Sequence, residues 1–252
     1  MGKPGVPNLK GRVALVTGGA VRIGRALALA LARQGASVVV HYGSSSEEAA
    51  ETVATIRGRG GAAEAFQSDL RDLSKTVGII ELAAECFGTP DILVNSAAVY
   101  NIAELADTTE SQWDEHFSVN LKAPFFLARA FATHLGRERA GQIVNIADWR
   151  GVRPDPRCMV YSLTKAGIIS MTEGLALALA PNIRVNAIAP GAILPPPGRD
   201  EEYLKVTARH APLGKAGSSD QVVDALLYLV TAESVTGQVL FVDGGEHLGS
   251  SK

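Results

Sequence analysis

The stretch VALVTGGAVRIG, Val13 to Gly24, decides the fold. Its opening VALVT (Val13 to Thr17) is a short apolar run rich in β-branched residues, the pattern of a strand buried on both faces. Glycines at 18, 19 and 24 follow at once, and a helical pattern runs from Ile23 to Gln34 until Gly35, where a helix would stop. Strand, glycine turn and helix in that order suit a dinucleotide. Glycines let the backbone turn sharply and approach a pyrophosphate, and the helix N-terminus favours its negative charge. Taken alone, the same glycines also fit an ordinary strand–helix turn.

Outward from this unit the alternation continues. Strands are expected at Ser37 to Tyr42, Ala63 to Gln67, Asp91 to Asn95, Gln142 to Ala147, Ile183 to Ala189 and Val239 to Asp243. Helices are expected at Ser46 to Arg59, Leu73 to Cys86, Thr109 to Leu135, Met159 to Leu179, Glu201 to Arg209 and Ser219 to Val230. Pro124 inside the long Thr109–Leu135 region predicts a kink or break. Seven strands, nearly all apolar and separated by helices, imply an α/β fold. The strands would form one doubly wound parallel sheet with helices on both faces. No linker divides the chain. We expect a loose tail over residues 1–8 and a single domain over 9–252. Pro195, Pro196 and Pro197 mark a surface loop after the sixth strand, and the region 191–212 is where such a sheet would carry its substrate loop.

Composition excludes several function classes. Apolar residues make up 46% of the chain and charged residues 20%, which supports a large core and argues against disorder. A formal net charge of −2 with no Lys/Arg-rich run argues against nucleic acid as a partner. Cys86 and Cys158 form no metal-spaced set, and the five histidines show no clustered pattern, so no metal is expected. The first residues, MGKPGVPNLKGRV, lack the apolar run of a signal peptide. The longest apolar stretches are interrupted, by Arg33 and Gln34 or by Pro181 and Asn182. The expectation is a cytoplasmic protein acting on a small molecule, with no membrane partner.

The second strand indicates which dinucleotide. A ribose 2′-hydroxyl is met by a carboxylate about 20 residues beyond the glycines, and a 2′-phosphate is repelled by one. Here the strand ends His41-Tyr42-Gly43-Ser44-Ser45-Ser46, and the first acid, Glu47, already lies in the next helix. Serine hydroxyls, backbone N–H groups and the side chains of Arg22 or His41 suit a phosphate. NADP(H) is therefore expected over NAD. The serines can equally cap the helix.

Tyr161 and Lys165 stand one helical turn apart on a common face. A free phenol has a pKa near ~10 and is a poor acid–base catalyst at neutral pH, and a nearby ammonium favours the phenolate. The pair predicts a tyrosine whose pKa is lowered by the lysine.

Together these motifs resemble the short-chain dehydrogenase/reductase family. The resemblance rests on the glycine loop, NSAA (Asn95 to Ala98), Tyr161 with Lys165, Pro190-Gly191 and VDGG (Val242 to Gly245), in the family's order and over nearly the whole chain. It implies a Rossmann sheet, a nicotinamide cofactor and a homotetramer built through the two long helices. Tyr161 would be the general acid. Lys165 would hold the nicotinamide ribose, and Asn120 would support a proton-relay water. Gly18, Arg22, Ile23 and Gly24 would carry the phosphates. Asp69 and Leu70 would meet adenine, Asn95, Ser96 and Ala97 would lie along the cofactor, and Pro190 and Gly191 would meet the nicotinamide.

Three positions depart from the family pattern. Arg22 replaces the middle glycine of the loop, NSAA replaces the usual NNAG, and Asp148 stands where a catalytic serine is usual. An ionised carboxylate cannot donate to a substrate carbonyl. Asp148 therefore either stays protonated or accepts from a substrate carrying N–H groups. Arg22, Asp148 and the segment VVVHYGSSSEEA (Val38 to Ala49) resemble the pteridine reductase branch. That resemblance puts Arg22, Tyr100, Asp148 and Tyr161 around a pterin ring. Other readings are that Asp148 caps a turn while Ser162 does the chemistry, that Tyr100 is loop packing, and that Arg22 binds phosphate alone. The expected activity is NADPH-dependent reduction of a pteridine. A carbonyl reductase and an NADPH-binding regulator are the alternatives.

Overall fold

The computed structural model describes residues 8–196, 198–209 and 211–249. Residues 1–7 of the expected tail, and Pro197 of the proline loop, lie outside them. The strands are β1 (Val13–Thr17), β2 (Ser37–Tyr42), β3 (Ala63–Gln67), β4 (Ile92–Asn95), β5 (Gly141–Ile146), β6 (Ile183–Pro190) and β7 (Val239–Val242). The helices are α1 (Arg22–Arg33), α2 (Ser46–Gly58), α3 (Leu73–Phe87), α4 (Glu110–Phe117), α5 (Ala123–Leu135), α6 (Met159–Leu179), α7 (Glu201–Ala208) and α8 (Ser219–Thr231).

All seven strands pair in parallel in the order β3-β2-β1-β4-β5-β6-β7. This is the expected doubly wound sheet. Alternate residues of each strand feed opposite faces, as the pleat requires. Ala14, Val16, Val38 and Val40 pack with Leu27, Leu31, Ile56 and Leu226 from α1, α2 and α8. Leu15, Val39, Leu93 and Ile143 pack on the other face with Ile79, Ile80, Leu127 and Phe131 from α3 and α5. Each fully buried Val, Leu, Ile or Phe among them contributes roughly 1.5–3 kcal/mol relative to exposure.

Strand order reverses between β1 and β4. A crevice opens there at the carboxyl ends of the strands, where sheets of this kind bind ligands. The register aligns Thr17 with His41 on one side and Asn95 on the other, and Asn95 in turn with Asn145.

The region Thr109–Leu135 is distorted just before Pro124 but stays helical, so it is not broken. Thr109 and Gln112 form a capping box that starts α4. A widened turn over Ser118–Lys122 joins α4 to α5, and Pro124 follows it in the first turn of α5. Proline cannot donate to the preceding turn, and the widened turn just before it absorbs that distortion without ending the helix.

Candidate active site

A cavity of about 1240 Å³ runs along the crevice from the end of β2 to the loop after β6. It exceeds the ~300–1,000 Å³ of an ordinary small-molecule pocket, so it has room for a dinucleotide and a second ligand. At its centre the glycine loop turns tightly. A Cβ on Gly24 would overlap the Gly18 carbonyl oxygen, and one on Gly18 would stand 2.9 Å from the Ala97 Cα. Gly18 also has a φ of +62°. Only glycine allows the loop to pack this closely on itself and on the loop after β4, and the tight turn beside the α1 N-terminus fits a pyrophosphate. Thr17 anchors its far wall, its hydroxyl oxygen accepting from the N–H groups of Ser96 (3.0 Å) and Ala97 (3.1 Å).

At the adenosine end the cavity is lined by Tyr42, Gly43, Ser44, Ser45, Asp69 and Leu70. Ser45 is the N-cap of α2 but makes no side-chain capping bond, so its hydroxyl is available to a ligand. His41 is a different matter. Its ring is 1% exposed and wedged between two backbone groups. Nδ1 accepts from Gly18 N–H at 3.3 Å, and Nε2 donates to Ser68 O at 3.0 Å. Burial lowers its pKa from 6.5 to about 4, partly opposed by the bond to Ser68. The expectation that the His41 side chain suits a phosphate is therefore corrected: it is a neutral strut holding the glycine loop to the end of β3.

The cations here are Arg71 and Lys75, which the sequence reading missed. Arg71 clamps both oxygens of Asp69, and that bond holds the Asp69 carboxyl down to about 2. Their signal was the close succession of Asp69, Arg71 and Lys75 after β3.

Arg22 has a φ of +53°, the left-handed region that explains a glycine in the family motif. Its guanidinium reaches across the crevice to Pro195 O (3.0 Å) and Leu194 O (3.5 Å). It ties the glycine loop to the loop after β6.

Tyr161 and Lys165 both face the cavity from the start of α6. The phenol donates to Asp148 Oδ2 at 3.0 Å, and the Lys165 Nζ donates to Ile146 O at 2.7 Å. Nζ lies over the Tyr161 ring, 5.5 Å from its centre. Burial, then the charge of Asp148 and its hydrogen bond, push the Tyr161 pKa well above 10. Burial lowers that of Lys165 to about 8. The expected lowering of the tyrosine by the lysine is thus overturned, because the charged group that the hydroxyl meets is a carboxylate.

Other expected members divide. Tyr100, 42% exposed, stands edge-on to Tyr161 with ring centres 4.9 Å apart. Pro190, Gly191, Ile23, Ser96 and Ala97 line the cavity. Asn120 does not enter it: its amide clamps the loop after β4, accepting from Val99 N (2.8 Å) and donating to Val99 O (2.9 Å). Asn95 lies beneath the floor, 4% exposed, and donates to Asn145 Oδ1 at 2.9 Å. Ser162 is fully buried and donates to Cys158 O, so it is not a substitute for the missing serine. Asp148 does cap the short turn Trp149–Gly151, accepting from Arg150 N at 2.8 Å, while its other oxygen meets Tyr161.

Comparison with known proteins agrees with this geometry. Residues 19–247 match the family model described as enoyl-(acyl carrier protein) reductase. The chain belongs to the short-chain dehydrogenase/reductase family. It is an oxidoreductase of that family. It is 36% identical over 250 residues to the (2S)-[(R)-hydroxy(phenyl)methyl]succinyl-CoA dehydrogenase subunit BbsD of Thauera aromatica, covering 95% of this chain and 98% of the relative. It is 35% identical to the 3-oxoacyl-[acyl-carrier-protein] reductase FabG of Thermotoga maritima, covering 94% and 98%. Among solved structures it is similar to FolM alternative dihydrofolate reductase 1 from Brucella suis in complex with NADP. That match has a TM-score of 0.90 and 35% identity, and covers 96% of this chain and 97% of the other.

Proposed function

We propose that this short-chain reductase uses NADPH to reduce a pteridine, such as a dihydropterin or dihydrofolate. One observation carries the reading: Asp148 occupies the serine's place and already accepts a hydrogen bond from Tyr161. A carboxylate beside the proton donor repels a bare carbonyl oxygen. It attracts the N–H and amino donors that a pterin ring presents. The similarity to a FolM dihydrofolate reductase supports the same choice.

NADP(H) is the cofactor, and it supplies the hydride. Gly18, Ile23 and Gly24 would seat its pyrophosphate. Ser44 and Ser45 would take the 2′-phosphate, with no acid at the end of β2 to repel it. Lys165 would hold the nicotinamide ribose, and Pro190 and Gly191 the nicotinamide end. Tyr161 keeps its proton on the phenol oxygen until a ring nitrogen needs it. Tyr100 offers an aromatic surface to a flat substrate, and Arg22, across the mouth, offers a cation to its oxygen. Asn120 contributes by fixing the Val99 backbone beneath Tyr100 rather than by touching substrate. Trp113 and Phe125 on α4 and α5, and Leu163 and Leu177 on α6, are exposed apolar side chains that support assembly as a homotetramer through these helices.

Spectrophotometric NADPH oxidation with dihydropterins, dihydrofolate and ketones tests the reading. Turnover of the pteridines is expected. Good turnover of ketones with none of pterins would overturn it in favour of a carbonyl reductase, the reading that the likeness to a 3-oxoacyl reductase favours.

A further inference from the structure

Arg150 lies behind the proton-donor pair and no motif of the sequence points to it. Its side chain is 18% exposed, lines the cavity and stacks over Trp149, with the guanidinium carbon 4.6 Å from the ring centre. One terminal nitrogen stands 3.4 Å from Asp148 Oδ1, and Nε stands 3.6 Å from Asp155 Oδ2. The Arg150 backbone N–H meets that same Asp148 oxygen at 2.8 Å. Asp148 is therefore gripped from one side by a single residue, which leaves Oδ2 for the tyrosine. Arg150 Nε is buried without a hydrogen-bond partner, as is Oε2 of Glu246 on the C-terminal turn that packs against the Trp149–Gly151 turn.

We propose that Arg150 is a positioning residue for the proton donor: it fixes the rotamer of Asp148 so that Oδ2 faces the Tyr161 hydroxyl. The groups that face this unit are Tyr100, Lys165, Asp155, Cys158 and Glu246, and Arg157 pairs with Asp155 on the outer side. Asp148 pushes the phenol toward its neutral form and Arg150 opposes it, so the cation tempers what the carboxylate imposes. Lysine keeps the charge but cannot copy the planar fork that spans two carboxylates. The inference deepens the reductase reading and rests on it for the direction of proton flow.

The test is Arg150→Gln and Arg150→Lys, each alone and with Asp148→Asn, in full-length protein labelled with ¹³Cζ-tyrosine. Arg150→Gln is expected to lower kcat by about ten- to a hundredfold, the cost of a misplaced catalytic group. The Kd for NADPH should stay within about twofold, and the Tyr161 Cζ resonance, assigned by its loss in Tyr161→Phe, should shift. Arg150→Lys, which keeps the charge without the fork, should recover only part of kcat. In the Asp148→Asn background Arg150→Gln should add little. An unmoved Cζ resonance, or an equal loss in both backgrounds, would overturn the proposal. The kinetics use whichever substrate the wild type turns over, and the resonance needs none. A protein that reduces ketones and not pterins would thus refute the pteridine reading while leaving this one decided by its own data.

Discussion

Tyr161 donates its hydroxyl to Asp148 across 3.0 Å, on the cavity wall where the two ends of β5 and α6 meet. A phenol held by a carboxylate in a buried site stays protonated. The proton is thus in place for reduction, in which the enzyme must deliver one, while the raised pKa makes the phenol a weaker donor than a free one. Tyr161→Phe keeps the ring and removes only that proton. It should lower kcat by about 10²- to 10⁴-fold, while NADPH fluorescence titrations give an unchanged Kd. Turnover within a few-fold of wild type would remove the tyrosine from the mechanism.

Lys165 is a cation held in the fold at a cost. Burial lowers its pKa from 10.5 to about 8. The penalty on the ammonium is present in full below pH 8 and is relieved as pH rises from 8 toward 10.5. Wild-type stability relative to Lys165→Met should therefore rise across that interval, by up to about 3 kcal/mol. Urea unfolding of both proteins at pH 7, 8, 9 and 10 measures it, and parallel curves would contradict the assignment.

His41 gives the opposite end of the pH scale. Its folded pKa of about 4 lies below the unfolded 6.5, so the unfolded chain takes up the proton first. Stability from this group is complete above pH 6.5 and is lost as pH falls toward 4, by about 3 kcal/mol. His41→Asn should flatten the acid side of the stability profile. It should also loosen the glycine loop, read as weaker NADPH binding at pH 7.

Cofactor choice rests on what is absent at the end of β2. A Cβ at Gly43 meets nothing within 4 Å and its backbone is not left-handed, so Gly43→Asp fits without strain. Its carboxylate would face the 2′-phosphate. The ratio of kcat/KM for NADPH over NADH should fall by about tenfold or more, the scale of one unfavourable charge contact. An unchanged ratio would move the phosphate site elsewhere.

Much of the fold was legible because parallel strands buried on both faces are written as continuous apolar runs. β1, β2 and α6 have the boundaries that VALVT, SVVVHY and Met159–Leu179 predict, and so does the edge strand β3, AEAFQ, though it is neither continuously apolar nor buried on both faces. The distortion near Pro124 was legible, but not its form, since a widened turn can absorb a proline without ending the helix. At the site, glycines and the Tyr161–Lys165 spacing were legible because each is local. The electrostatics were not. That His41 is neutral, that Tyr161 answers to Asp148 before Lys165, and that Arg150 backs them both depend on burial and on contacts between distant turns. A spacing rule carries neither.

The most direct test of the account is the substrate preference of Asp148→Ser against wild type, as the ratio of kcat/KM for a dihydropterin over a small ketone with NADPH. Serine restores a donor for a carbonyl and removes the acceptor for ring N–H groups. The account predicts that wild type prefers the pterin and that the ratio falls by about a hundredfold or more, the scale of an unpaired buried polar group. A ratio that stays constant, or a wild type that favours the ketone, would contradict it.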